Sequence, residues 1–242
     1  MMTLRALGVI LARGGSKRLP RKNVLPLNGR PLIAYMIGAA RASTLDRVVV
    51  STEDEEIAEV ARREGGEVPF RRPSPLAEDY AEDSDILLHA HDAVAAEEGR
   101  GYEILVHLQP TSPFVLPATI SACADTLRRT DANCCFAVRK ADEPPQWMFR
   151  RDHDGTVRPL FDKRIAGDAT HTQLLERPFF PSGAAYAVRT EVLRRERTLF
   201  VEPMRVVEME PLRAVDVDEE IDLMLAELVA KRWGFAVFGS GD

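Results

Sequence analysis

Leu7-Gly8-Val9-Ile10-Leu11-Ala12-Arg13-Gly14-Gly15-Ser16-Lys17-Arg18-Leu19-Pro20-Arg21-Lys22-Asn23 is the stretch on which the fold turns. Residues 7–12 form a short apolar run without polar alternation, the pattern of a parallel strand covered on both faces. The run stops at a glycine pair, and five cations follow within ten positions: Arg13, Lys17, Arg18, Arg21 and Lys22. Glycines let a backbone approach an anion closely, with N–H groups aimed at its oxygens. A loop that leaves a buried parallel strand lies at the carboxyl edge of the sheet, where open α/β folds bind ligands. A solvated basic loop would carry the same cations, but not directly behind a buried strand and a glycine pair. Neither the GxxxxGK[ST] phosphate loop nor the GxGxxG dinucleotide fingerprint is present.

Outward from this stretch, strand and helix patterns alternate. A helix is expected over 31–42, with Pro31 in its first turn. A valine-rich strand follows at 47–51, a charged helix at 53–63, and a short third strand around Val68 and Phe70. A long helix is read at 83–98, a buried strand at 104–108, a helix at 118–129 and a strand at 133–138. Strands at 182–188 and 205–209 and a closing helix at 218–233, with Ile221, Leu225 and Leu228 on one face, complete the set. This rhythm predicts a three-layer α/β fold, a mostly parallel, Rossmann-like sheet with helices on both faces. Residues 142–181 break it. Five prolines, many charges and Trp147, Phe149, Phe161, Phe179 and Phe180 mark an excursion too long for a plain loop. It reads as an inserted arm, suited to dimerisation, on a single domain spanning 1–242.

Composition narrows the function. The 242 residues are 45% hydrophobic and 29% charged, an ordinary globular balance. A net charge of -6, from 32 basic and 38 acidic residues, argues against a nucleic-acid binder with a dominant basic face. A small anionic substrate needs only a few placed cations. No apolar stretch reaches the roughly 20 residues of a membrane span, and no leader pattern opens the chain, so a cytoplasmic protein is expected. Cys123, Cys134 and Cys135 form no CxxC pair, and they read as buried apolar residues of a reducing compartment. The five histidines assemble no cluster and are read as structural or surface groups.

Two further constellations carry chemistry. Leu108-Gln109-Pro110-Thr111-Ser112-Pro113-Phe114 ends another buried strand; two prolines fix the loop, and Gln109, Thr111 and Ser112 offer neutral donors and acceptors for hydroxyls. Val215-Asp216-Val217-Asp218 precedes the last helix. If extended, it puts both carboxylates on one side and makes a site for a hard cation bridged to phosphates. The competing reading is that Asp218 caps the helix.

Taken in order, the RGGSKxxPRKN loop, the LQPTSP loop and the late Asp-x-Asp resemble the CMP-acylneuraminate synthetases, over nearly the whole chain. Gly183-Ala184-Ala185-Tyr186 resembles that family's NGAxY stretch, with Ser182 where asparagine is usual. The resemblance implies a nucleotide-diphospho-sugar transferase-like fold, CTP and an acidic 2-keto sugar as substrates, Mg²⁺ or Mn²⁺, and a homodimer. It implies that Arg13, Ser16 and Lys22 hold the triphosphate, with Leu11 and Asn23 beside the nucleotide. Arg72 would contact cytosine, assisted by Asp83 and Ser84, while Gln109 would lie between nucleotide and sugar. Gln173 would reach the sugar from the arm, and Asp216 and Asp218 would bind metal. Lys22, Arg13 and Asp218 are the expected catalytic set. An octulosonate cytidylyltransferase, another sugar nucleotidyltransferase and a non-catalytic regulatory nucleotide-binding module stand as alternatives.

Overall fold

The computed structural model describes residues 4–161, 175 and 177–235. Its main sheet contains β1 (Ala6–Leu11), β2 (Arg47–Ser51), β3 (Ile104–Leu108), β4 (Cys134–Lys140), β5 (Phe179–Arg189) and β6 (Met204–Glu208). The strand order is β6-β4-β5-β3-β1-β2. Only β5 runs against its neighbours, pairing antiparallel with β3 and β4. The expected three-layer, mostly parallel α/β architecture is therefore the one found.

Helices cover both faces. On one side α1 (Leu32–Arg41), α2 (Glu55–Arg63) and α4 (Pro117–Arg129) pack onto the sheet through Ile33, Ile37, Ile57, Ile120 and Leu127. On the other, α3 (Asp83–Glu98) and α5 (Thr190–Glu196) bury Leu87, Val94 and Leu193. Each fully buried side chain of this size contributes about 1.5–3 kcal/mol relative to exposure. All three cysteines are free and buried, as read from the sequence.

Two expectations are corrected. No strand forms at Val68 and Phe70. Only Glu67 bridges to Val49, and Pro69, which has no N–H to donate, comes two residues later. The closing helix α6 (Glu220–Trp233) starts two residues late and turns the expected stripe outward. Ile221, Leu225 and Leu228 are exposed, while Ala226, Val229 and Ala230 pack beside Leu27, Leu32 and Phe114. Small residues let the helix sit closely against that satellite cluster, and Glu219 with Asp222, not Asp218, forms its capping box. In the described part of the arm, Phe149–Arg151 and Val157–Pro159 pair as an antiparallel hairpin.

Chain order fixes where a ligand fits. The path runs from β1 to β2 on one side, then crosses to β3 on the other side of β1. Loops leaving β1 and β3 therefore diverge, opening a crevice at the carboxyl edge. Because β5 is reversed, its first residues reach the same edge.

Candidate active site

A cavity of about 350 Å³ occupies this crevice. Its wall includes Leu11, Arg13, Ser16, Lys22, Asn23, Arg72, Asp83 and Gln109, all named from the sequence. Ser84 is buried in the first turn of α3 and is not part of the wall. Gln173 lies outside the described residues. His107, read from the sequence as structural, is part of the wall, as are Lys17, Arg18, Asp79, Ile86 and Thr111.

The basic loop divides its cations. Arg13 Nη1 pairs with Asp79 at 3.1 Å, and Lys17 with the same carboxylate. Lys22 Nζ lies 2.7 Å and Arg18 Nη2 2.5 Å from Asp218. These four line the cavity; the fifth does not. Arg21 adopts the left-handed backbone region (φ 59°) and donates bidentately to Asp54, at 2.5 and 3.0 Å. Asp54 also accepts from the Ile57 amide as the N-cap of α2. Hydrogen bonds from Arg21 hold Asp54 below the usual carboxylate range against the effect of burial. Arg21 thus fastens the loop to the fold.

The glycine pair also splits its work. A Cβ on Gly14 would come within 2.4 Å of Asp54 Oδ2, so this position must be glycine for the loop to pack. Gly15 faces open space. Asn23 donates from Nδ2 to the carbonyl of Arg13 at 3.0 Å, tying the loop's two ends together, and its buried Oδ1 has no partner.

The other end of the cavity is drier. Arg72 is buried, donating from Nε to Ser51 Oγ at 3.0 Å and from Nη2 to the Ser51 carbonyl. Burial pulls this guanidinium down to about 10, and it remains a cation at neutral pH. Asp83 stands at the first residue of α3, 3.8 Å from His107 Nδ1.

Between the ends, Gln109 Nε2 donates to Thr111 Oγ1 at 2.8 Å and approaches Asp216 at 3.2 Å. The Thr111 hydroxyl donates to Asp216 at 2.5 Å, and the Thr111 carbonyl accepts from the Val217 amide at 2.8 Å. Val217 is fully buried, so Asp216 and Asp218, flanking it, project away from the core together. Gly183 (φ +83°) leaves room there: its Cβ would stand 3.1 Å from Gln109 Oε1 and 3.4 Å from Asp216 Oδ2. Ser182, in place of the asparagine, spends its hydroxyl on the Ala137 carbonyl at 3.0 Å.

The two aspartates differ in kind. Burial pushes Asp216 up, and the neighbouring Asp218 charge adds to this against the Thr111 hydrogen bond. Burial also works upward on Asp218, but Lys22 and Arg18 outweigh it and hold it low. Among the described residues no group of three or more His, Cys, Asp or Glu is disposed to hold a metal. Two carboxylates on one side of an extended segment nevertheless suit Mg²⁺, which takes few protein ligands and completes its shell with phosphate oxygens and water.

Cations at one end of the cavity and a buried guanidinium at the other suit a ligand that carries phosphate on a polar ring, bound at the carboxyl edge of an α/β sheet. The chain belongs to the cytidylyltransferase family, whose model matches residues 7–223. It is 31% identical over 230 residues to the CMP-N,N'-diacetyllegionaminic acid synthase of Legionella pneumophila, covering 93% of this chain and 95% of that protein. It is 28% identical over 229 residues to the pseudaminic acid cytidylyltransferase of Campylobacter jejuni, covering 94% and 97%. Among solved structures, a CMP:2-keto-3-deoxy-manno-octonic acid synthetase complexed with CTP superposes with a TM-score of 0.69 at 18% identity, covering 95% of this chain and 99% of that one. The last likeness confirms the fold.

Proposed function

We propose that this cytidylyltransferase activates a nonulosonic, sialic-acid-like sugar with CTP, joining CMP to the sugar and releasing pyrophosphate. One observation carries the reading: four cations, the Arg72–Asp83 recess, Gln109 and the Asp216–Asp218 pair surround one cavity or meet at its edge. The relatives named for pseudaminic and legionaminic acids, matched along almost their whole length, support the sugar class. The anomeric oxygen of the sugar attacks the α-phosphorus; the bond to the bridging oxygen breaks, its electrons leave on pyrophosphate, and the hydroxyl proton is released. Catalysis of such a transfer is chiefly positioning and charge stabilisation. Lys22, Arg18 and Arg13 would meet the phosphates, and Gln109 would stand where nucleotide gives way to sugar. Asp216 and Asp218 would hold Mg²⁺, which when bound supplies charge stabilisation at the phosphates.

The test is pyrophosphate release with CTP and a panel of acidic sugars, sialic, legionaminic, pseudaminic and octulosonic, with and without Mg²⁺. Turnover with a nonulosonic acid and Mg²⁺ is expected. Turnover with octulosonic acid alone would move the substrate class, and binding without turnover on any sugar would favour a regulatory module. The protein is further expected to be a homodimer, joined through the arm. Phe149, Phe161, Phe179 and Phe180 are all exposed there, and a second copy would cover them. A monomeric mass by light scattering at micromolar concentration would rule this out.

A further inference from the structure

Thr111 belongs to the loop after β3 and to the cavity wall, yet it is buried and its hydroxyl is already spent. Gln109 Nε2 donates to that hydroxyl at 2.8 Å, and the hydroxyl gives its one hydrogen to Asp216 Oδ1 at 2.5 Å. Read from the sequence, this group is a contact for a substrate hydroxyl; in the fold it joins two side chains of the site. The joint is not what brings the two segments together. The Thr111 carbonyl accepts from the Val217 amide at 2.8 Å, and Val217 shares one buried cluster with Phe114, Leu27 and Tyr35. Pro110 and Pro113 restrict the loop on either side, and the Ser112 amide closes it on the Gln109 carbonyl at 3.1 Å. Main chain and core fix where the segments lie. The hydroxyl adds direction.

Direction matters because the two aspartates are held by different groups. Asp218 is held by the cations Lys22 and Arg18. Among the described residues Asp216 makes no ion pair, and its side-chain donors are the neutral Thr111 and Gln109. Its charge is oriented without being paired, as suits a carboxylate that takes an external cation. The same hydroxyl decides the sense of the Gln109 amide. Having given its hydrogen to Asp216, the Thr111 oxygen can only accept, so Gln109 turns its NH₂ to this corner. That places a donor 3.2 Å from Asp216 Oδ2, where the flipped amide would set oxygen against a carboxylate.

We infer that Thr111 is a positioning residue for the transfer: its hydroxyl holds the Asp216 carboxylate in the orientation that takes a divalent cation and fixes the Gln109 amide in one sense. The inference rests on the proposed cytidylyl transfer and its metal pair, and deepens them. Removing a hydrogen-bond partner that stands behind a metal-binding group typically costs about 10–100-fold in metal affinity or activity.

The test compares Thr111→Val, which keeps the branched shape and removes the hydroxyl, with Thr111→Ser, which keeps the hydroxyl; Thr111→Ala is a second hydroxyl-free variant. On the full chain, Mn²⁺ binding is titrated by electron paramagnetic resonance with CTP present and no sugar. CTP affinity in excess EDTA, kcat and melting temperature are measured alongside. Thr111→Val and Thr111→Ala should lose about 10–100-fold in Mn²⁺ affinity and a similar factor in kcat, with CTP affinity in EDTA at the wild-type value. Thr111→Ser should restore most of both. Wild-type Mn²⁺ affinity in either hydroxyl-free variant, whatever its melting temperature, overturns the inference. So do a serine variant as impaired as the valine one, an equal loss of CTP affinity in EDTA, and failure of both hydroxyl-free variants to fold, each of which makes the role structural. Wild type that binds no Mn²⁺ with CTP, or releases no pyrophosphate with any sugar, would instead refute the metal pair or the cytidylyl transfer on which the inference rests.

Discussion

The two ends of the cavity are prepared for a ligand in opposite ways. At the phosphate end the cations are already paired: Asp79 gathers Arg13 and Lys17, and Asp218 gathers Arg18 and Lys22. At the other end the polar groups are fixed by the fold, with Arg72 anchored to Ser51 and His107 Nδ1 buried without a partner. The first arrangement is a set of ion pairs that a triphosphate can exchange for its own oxygens. The second is a rigid template. On the proposed reading, charge would be held in reserve where the chemistry occurs, and shape would be preformed at the opposite end.

The largest expected effect tests the reserve. Asp218→Asn and Asp216→Asn should each lower turnover beyond about 10³-fold, more than any single cation deletion, because both remove charge from the proposed metal pair. They should differ in nucleotide affinity. Asp218→Asn frees Lys22 and Arg18, so CTP should bind it more tightly than wild type in excess EDTA. Asp216→Asn frees no cation and should not. Turnover across a Mg²⁺ titration and CTP binding in EDTA separate the two. Full activity of either variant at millimolar Mg²⁺ would remove the metal assignment, and unchanged CTP affinity of Asp218→Asn would show that the ion pairs do not compete with the triphosphate.

Lys22→Ala ranks next. Lys22 is half-buried between the loop and Asp218, and loss of one preorganised contact to the leaving pyrophosphate should cost about 2.7–4 kcal/mol, or about 10²–10³ in kcat. The sugar KM should change little. A kcat that stays at the wild-type value under saturating CTP would make Lys22 only a counterion of Asp218.

How far the sequence reveals this comparison follows from what each feature depends on. Strand 47–51, helix 83–98 and strand 104–108 have the ends their sequence marks, because β-branched or periodic runs meet Pro, Gly or charged turns there. The basic loop, Gln109 and the aspartate pair were legible as motifs, and the cavity brings the first two together with Arg72. The division of labour within the loop was not. Arg21 looks like its neighbours in sequence, and only its left-handed backbone turns it toward α2. The apolar spacing of α6 marks a face without saying which way it points, and in the fold Ile221, Leu225 and Leu228 point outward. His107 left one signal, a lone histidine in an apolar strand two residues before Gln109. Its partner in stacking, Tyr186, comes from a distant part of the chain.

The smallest effect concerns the cation that belongs to neither end. If Arg21 fastens the loop and does not meet the triphosphate, removing its acceptor should cost stability while sparing the nucleotide site. Asp54→Ala deletes both an N-cap and the bidentate partner of Arg21. Cap losses typically cost about 0.5–2 kcal/mol, and each kcal/mol lowers the midpoint of a chain this size by about 2–4 °C. The pH dependence has a fixed sign. Asp54 is held below its ordinary value in the folded protein, so its contribution is complete above the unfolded carboxylate pKa, about 3.9, and fades as pH falls through the lower folded value. The gap in melting temperature between wild type and Asp54→Ala should therefore be constant near neutrality and close only in acid. CTP affinity should fall much less in Asp54→Ala than in Lys22→Ala. Equal losses would place Arg21 among the phosphate ligands and erase the distinction between the cation that anchors the loop and the four that line the cavity.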